Sequence, residues 1–90
     1  FMSFTPELVA ELEVLALFDL ESTLEGLKIH QTADPQRIAA AQRLYDKDLI
    51  NQPDGGYLTS LGRDAAEHVQ GLLLILTSES KLGEKLAEIA

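Results

Sequence analysis

Residues 34–62 read DPQRIAAAQRLYDKDLINQPDGGYLTSLG, and this stretch decides the fold. It begins with Asp34, a typical N-cap residue, followed by Pro35, which suits the first position of a helix. Apolar residues then recur at helical spacing as far as Lys47. The turn sequence QPDG at residues 52–55 separates two predicted strands, residues 49–51 and residues 56–59. We therefore predict a helix that ends near Lys47 and is followed directly by a β-hairpin.

A further helix is predicted on each side of this unit. Thr5 caps the first of them, which we expect to bury one apolar stripe. That stripe consists of Leu8, Val9, Leu12, Leu15 and Ala16, and Val14, Leu17 and Phe18 widen it toward the end of the helix. Thr59 caps the last helix, whose apolar residues also recur at helical spacing. Residues 27–30 alternate apolar and polar side chains, which predicts a short strand before the central helix.

This order of elements predicts a mainly α fold with a small β-hairpin wing, namely a winged helix-turn-helix with a long C-terminal helix. We assign residues 2–77 to that domain and residues 78–90 to a C-terminal helical extension. The extension is predicted because Leu82, Leu86 and Ile89 resume helical spacing after a polar interruption.

The last helix contains the run LLLIL at residues 72–76, which is apolar on every side. Such a helix must be buried on more than one face, and in a chain of 90 residues a second copy is the simplest cover. We therefore predict a homodimer whose interface comprises Val69, Leu72, Leu73 and Leu76. The same run could instead belong entirely to the core or line a ligand pocket.

The formal net charge is −8, which opposes binding to a polyanion. Residues 34–47 are a local exception, because three basic and two acidic residues give +1 and leave −9 for the rest of the chain. The predicted side of this helix opposite its core groups Gln36, Arg43 and Lys47 around Ala40, with Arg37 on the flank. Arginine and glutamine side chains read base edges, whereas lysine neutralises phosphates.

Duplex DNA is therefore one predicted partner. The candidate contact residues are Lys28, Gln36, Arg37, Arg43 and Lys47. The hairpin turn opposes this interpretation, because it carries Asp54 and has no lysine or arginine to contact phosphate. The alternative is an acidic protein-interaction module that keeps the fold and does not bind DNA, and in that case the basic side of the helix is an ordinary solvated surface.

Catalytic and metal-binding patterns are not found in the sequence. It has no cysteine, and neither His30 nor His68 has neighbours at metal-ligand spacing. Glu11 and Glu13 are interpreted as charges on a solvated helix face. We expect no enzyme activity, no metal and no cofactor. The first residues do not resemble a secretory leader and no apolar run is long enough to span a membrane, so we expect a soluble, cytoplasmic protein.

Two phrases carry a resemblance to a known family. LYDKDLI at residues 44–50 and GGYLTSLGRDAAEHV at residues 55–69 resemble winged-helix regulators of the multiple-antibiotic-resistance-regulator kind. Asp48 stands where that family usually has glycine, whereas the leucine-threonine-x-x-glycine phrase ending at Gly62 is intact. More closely, residues 2–77 resemble a family of short proteobacterial proteins of unknown role that are classed by inference as DNA-binding. The resemblance implies a winged fold with the central helix in the recognition position and the last helix available for dimerisation.

Overall fold

The structure is a computed structural model that describes residues 3–22 and 25–78. In chain order the elements are α1 (Pro6–Ala16), β1 (Leu27–Lys28), α2 (Pro35–Asp46), β2 (Ile50–Gln52), β3 (Gly55–Leu58) and α3 (Ser60–Thr77). The strands form one antiparallel sheet in the order β1-β3-β2. This architecture confirms the predicted mainly α fold with a small hairpin and a long last helix. The predicted extension over residues 78–90 lies almost entirely outside the described residues.

The helix starts follow from local chemistry. Side-chain oxygens of Thr5, Asp34 and Thr59 accept hydrogen bonds from backbone amides of the first turns at 3.2, 2.8 and 3.0 Å, respectively. Each bond satisfies an amide that has no partner within its own helix. The three predicted N-caps are confirmed.

The end of α2 is a Schellman motif, in which the chain reverses through a left-handed residue. The Leu49 amide donates to the Leu44 carbonyl at 2.9 Å, and the Asp48 amide donates to the Tyr45 carbonyl at 3.0 Å. Asp48 has φ +64°, a conformation that glycine adopts more readily than aspartate. Asp48 therefore occupies a backbone position that favours glycine.

The start of α3 lies directly against the beginning of the hairpin. The Thr59 amide donates to the Leu49 carbonyl at 3.1 Å, and the Thr59 hydroxyl donates to the Asp48 carbonyl at 2.7 Å. A Cβ atom on Gly62 would overlap the same Leu49 carbonyl. The leucine-threonine-x-x-glycine phrase therefore has a structural reason, because threonine caps the helix and glycine permits the close approach.

The core lies where α1 packs against both α2 and α3. Its buried members are Ala10, Val14, Leu15, Phe18, Ile29, Ala40, Ala41, Leu44, Ile50 and Ala66. Of the predicted core stripe of α1 only Leu15 is buried, because the helix is rotated so that Ala10 and the predicted widening residues Val14 and Phe18 face inward. Val9, predicted to be in the core, is 38% exposed. Periodicity did not resolve this choice because α1 is apolar on two sides.

Candidate functional site

Two of the predicted DNA-contacting side chains are bound to a single carboxylate. Arg43 Nε lies 3.1 Å from Glu11 Oε2, and Lys47 Nζ forms an ion pair with Glu11 Oε1. Arg43 also donates through Nη2 to the Glu7 carbonyl at 3.1 Å. These contacts join the last two turns of α2 to the first two turns of α1. Part of the α2 surface that was predicted to face solvent therefore faces α1, and Ala40 on that surface is fully buried.

Glu11 is the residue that sequence reasoning missed. It is 5% exposed, so its interpretation as a solvated surface charge is wrong. Two cations compensate the buried carboxylate, which otherwise carries a large desolvation cost. A signal was present in the sequence, because Glu11 lies three and four positions before Val14 and Leu15, on the side of α1 that is buried.

The other predicted contact residues do not join Arg43 and Lys47 in one free basic surface. Lys28 Nζ lies 2.5 Å from Asp54 Oδ2, and this hydrogen bond lowers the pKa of the Asp54 carboxyl below its ordinary value of 3.8. Gln36 and Arg37 are exposed in the first turn of α2. Among the lysines and arginines that the structure describes, Arg37 alone has neither an ion pair nor a side-chain hydrogen bond.

A groove of ≈ 640 Å³ lies between α1 and α3, and we call it the α1–α3 groove. Most of its lining is apolar. The lining consists of Phe4, Val9, Leu12, Glu13, Ala16, Leu17, Arg37, His68, Val69, Leu72 and Leu73. Three of the four predicted dimer-interface residues therefore lie in one wall, and Leu76 follows one turn later on the same side of α3.

The apolar run at residues 72–76 continues α3 past this wall, and we call it the α3 ridge. All five of its side chains are between 43% and 70% exposed. The core covers the earlier part of the helix at Gly62 and Ala66 but does not reach the ridge. Apart from the half-buried Val69, the predicted interface is thus open to solvent in the single chain.

Polar side chains of α3 hold the end of α1 in place. Gln70 Nε2 donates to the Phe18 carbonyl at 2.7 Å and to the Leu15 carbonyl at 3.2 Å. Arg63 Nη1 donates to the Leu20 carbonyl at 3.0 Å. The Leu15 carbonyl lies in the last turn of α1, where partners within the helix are missing, and Phe18 and Leu20 follow shortly after the helix ends. These bonds also fix α1 relative to α3 beside the groove.

Residues 3–22 and 25–78 provide neither a metal-binding cluster nor a membrane-spanning helix. Within these ranges no group of three or more histidine, aspartate or glutamate side chains is placed to hold a metal ion. None of the helices described there combines the length and apolarity needed to cross a bilayer.

Comparison with known proteins identifies a family without an assigned role. The family of unknown function DUF5669 matches residues 2–77. The chain belongs to this family. No curated protein matches the chain, and no solved structure matches it either. Membership of DUF5669 confirms the expected relation to a family of unknown role over these residues, whereas the likeness to antibiotic-resistance regulators stays a prediction.

Proposed function

We propose that the chain is a protein-interaction module whose binding surface consists of the α1–α3 groove and the α3 ridge. One observation carries this proposal, namely the exposure of five consecutive apolar side chains at residues 72–76. Single exposed leucines are common on protein surfaces, whereas a large contiguous apolar patch indicates an interaction site.

The size of the patch supports this function. At ~25 cal/mol per Å², the ~1.5–3 kcal/mol gained by fully burying a large apolar side chain corresponds to roughly 100 Å² of apolar surface. The large apolar residues exposed around the groove and ridge are Phe4, Val9, Leu17, Leu72, Leu73, Leu74, Ile75 and Leu76. Weighted by their exposed fractions, they present roughly 450 Å², which is within the range of functional patches.

The charges of the α2 surface also favour a protein partner over DNA. Affinity for DNA depends largely on cations that are free to neutralise phosphates. Arg43 and Lys47 are already paired with Glu11, and Lys28 is paired with Asp54. In addition, β1 lies between α1 and α2, so these two helices are not joined by the turn of about three or four residues that connects the helices of a helix-turn-helix.

Dye binding and DNA binding test the proposal together. The dye ANS reports exposed apolar surface, so in protein diluted until it is monomeric we expect its emission to fall in Leu72→Glu. Leu61→Glu is the matched control, because Leu61 is also an exposed leucine of α3 but does not line the groove. We expect this control to match the wild type, and labelled duplex DNA to remain unbound at low salt. Identical emission from all three proteins, or micromolar DNA binding that weakens with salt, would overturn the proposal.

A small DNA-binding regulator is the second candidate function. It is favoured by the exposure of Gln36 and Arg37 in the first turn of α2, and by a hairpin that follows α2 directly. This function requires binding to duplex DNA that Arg37→Ala weakens, with a smaller salt slope. Glu11→Gln would strengthen such binding, because it releases Arg43 and Lys47. If neither substitution changes the affinity for DNA, this second function is excluded.

A further inference from the structure

We infer that the occupant of the α1–α3 groove is a second copy of this chain, with the α3 ridge of each copy packed against the groove of the other. The inference rests on the proposed function and names the partner of the same surface.

Helix α1 is apolar on two sides. Ala10, Val14 and Phe18 are buried in the core. Val9 and Leu12 lie on another side and line the groove instead. A helix with two apolar sides is normally covered on both of them. Within the described residues only the first side is covered by the chain itself.

Helix α3 carries a concave and a convex apolar surface side by side. Leu72 and Leu73 form one wall of the groove and also begin the ridge. Leu76 lies on the same side one turn later and is 70% exposed. A two-fold dimer needs a surface that is complementary to itself. A ridge that continues a groove wall provides such a surface, because each copy supplies both shapes.

The charge of this surface favours a second copy over a basic partner protein. Residues 69–78 read VQGLLLILTS and carry no charged side chain. The groove adds one charge of each sign, from Glu13 and Arg37. The whole surface is therefore neutral in a chain of net charge −8. Another acidic copy can approach here without like-charge repulsion, whereas a basic protein finds no net negative charge to attract it.

The apolar area of the patch is close to the area that a stable interface buries. Leu74 lies on the side of α3 opposite Leu72 and Leu76, so each copy offers roughly 400 Å² to one interface, and two copies that cover their patches reciprocally remove roughly 800 Å² of apolar surface from water. Biological interfaces bury at least about 1,000 Å² in total, polar rim included. The patch therefore has about the area that a small, stable homodimer requires.

Sedimentation velocity of the full chain between about 1 and 100 µM tests the inference, because this range brackets a micromolar dissociation constant. We expect the wild type to associate into a dimer. Leu72→Glu places a carboxylate in the apolar interface and should raise the dissociation constant at least ~100-fold. Leu61→Glu is closely matched, since Leu61 is 58% and Leu72 is 55% exposed, and it should dimerise as the wild type does.

A second variant guards against loss of folding. Leu76 lies at the exposed end of the ridge, so Leu76→Glu should leave the circular dichroism of the monomer unchanged and still weaken the dimer. A folded Leu76→Glu variant that dimerises like the wild type would overturn the inference.

The failure of this inference is distinguishable from failure of the proposed function. A wild-type monomer at every concentration, combined with dye emission that depends on Leu72, would overturn the second copy as occupant and retain the protein-binding surface. A monomer whose dye emission is unaffected by Leu72→Glu would overturn both. A dimer that Leu61→Glu disrupts and Leu72→Glu does not would place the interface elsewhere.

Discussion

The Glu11 carboxylate accepts a hydrogen bond from Arg43 Nε at 3.1 Å, across the contact between α1 and α2. The Glu11 side chain is 7% exposed and that of Arg43 is 34% exposed. Removing one partner of a fully buried ion pair costs about 3–5 kcal/mol. Arg43 and Lys47 retain access to water, so we expect Glu11→Gln to lower the free energy of unfolding by less, about 1–3 kcal/mol in urea titrations.

Glu13→Gln is the matched control, because Glu13 is an exposed glutamate of the same helix without an ion pair among the described residues. Its effect should stay within about 0.5 kcal/mol. Combining Glu11→Gln with Arg43→Gln should cost less than the sum of the two single changes, since both remove the same contact. Strict additivity would show that the pair contributes nothing to stability.

The glycines of α3 should respond to substitution with opposite signs. Gly62→Ala places a Cβ atom on the Leu49 carbonyl, whereas a Cβ atom on Gly71 meets no atom within 4 Å. We expect Gly62→Ala to destabilise the fold by more than about 2 kcal/mol. Gly71→Ala should stabilise it by about 0.5–1 kcal/mol through helix propensity. Thermal unfolding followed by circular dichroism measures both, and a mild effect at Gly62 would contradict the close approach of α3 to the hairpin.

Asp48→Gly should increase stability. Asp48 has φ +64°, where glycine has no steric penalty, so we expect a gain of up to about 1 kcal/mol in the free energy of unfolding. Asp46→Gly, two residues earlier and still within α2, should instead lose about 0.3 kcal/mol through helix propensity. A loss at both positions would show that Asp48 makes a favourable contact that outweighs its backbone conformation.

The pair formed by Lys28 and Asp54 predicts a titration that can be observed directly. The hydrogen bond from Lys28 lowers the pKa of Asp54, so the pair stabilises the fold above the ordinary pKa of 3.8. This contribution disappears as the pH falls through the lowered pKa. In Lys28→Met we expect the pKa of Asp54, followed by carboxyl NMR, to rise toward 3.8. Arg37→Met is the control and should leave the Asp54 titration as in the wild type.

Local features of this fold were predictable from sequence because the chemistry that sets them is local. Thr5, Asp34 and Thr59 act within three residues of themselves, so their caps were predicted correctly. The hairpin follows from its turn residues, and its strands begin and end within one residue of the predicted bounds.

Relations between helices were not predictable in the same way. Val9 and Val14 lie on opposite apolar sides of α1, and periodicity cannot decide which of them meets the core. The same rotation brings Glu11 toward α2, where it pairs with residues 32 and 36 positions away in sequence. The site prediction treated the charges of α2 as if its neighbours were absent, so it could not foresee their neutralisation.

The amide of Gln70 has a consequence for any molecule that enters the groove. Through its bonds to the Phe18 and Leu15 carbonyls, the Gln70 side chain helps to fix the distance between α1 and α3, which form the two walls of the groove. The α1–α3 groove is therefore already formed before a partner binds, so binding loses little conformational entropy of the protein. Gln70→Ala removes these hydrogen bonds and should therefore weaken binding of a partner in the α1–α3 groove, although Gln70 does not line the groove.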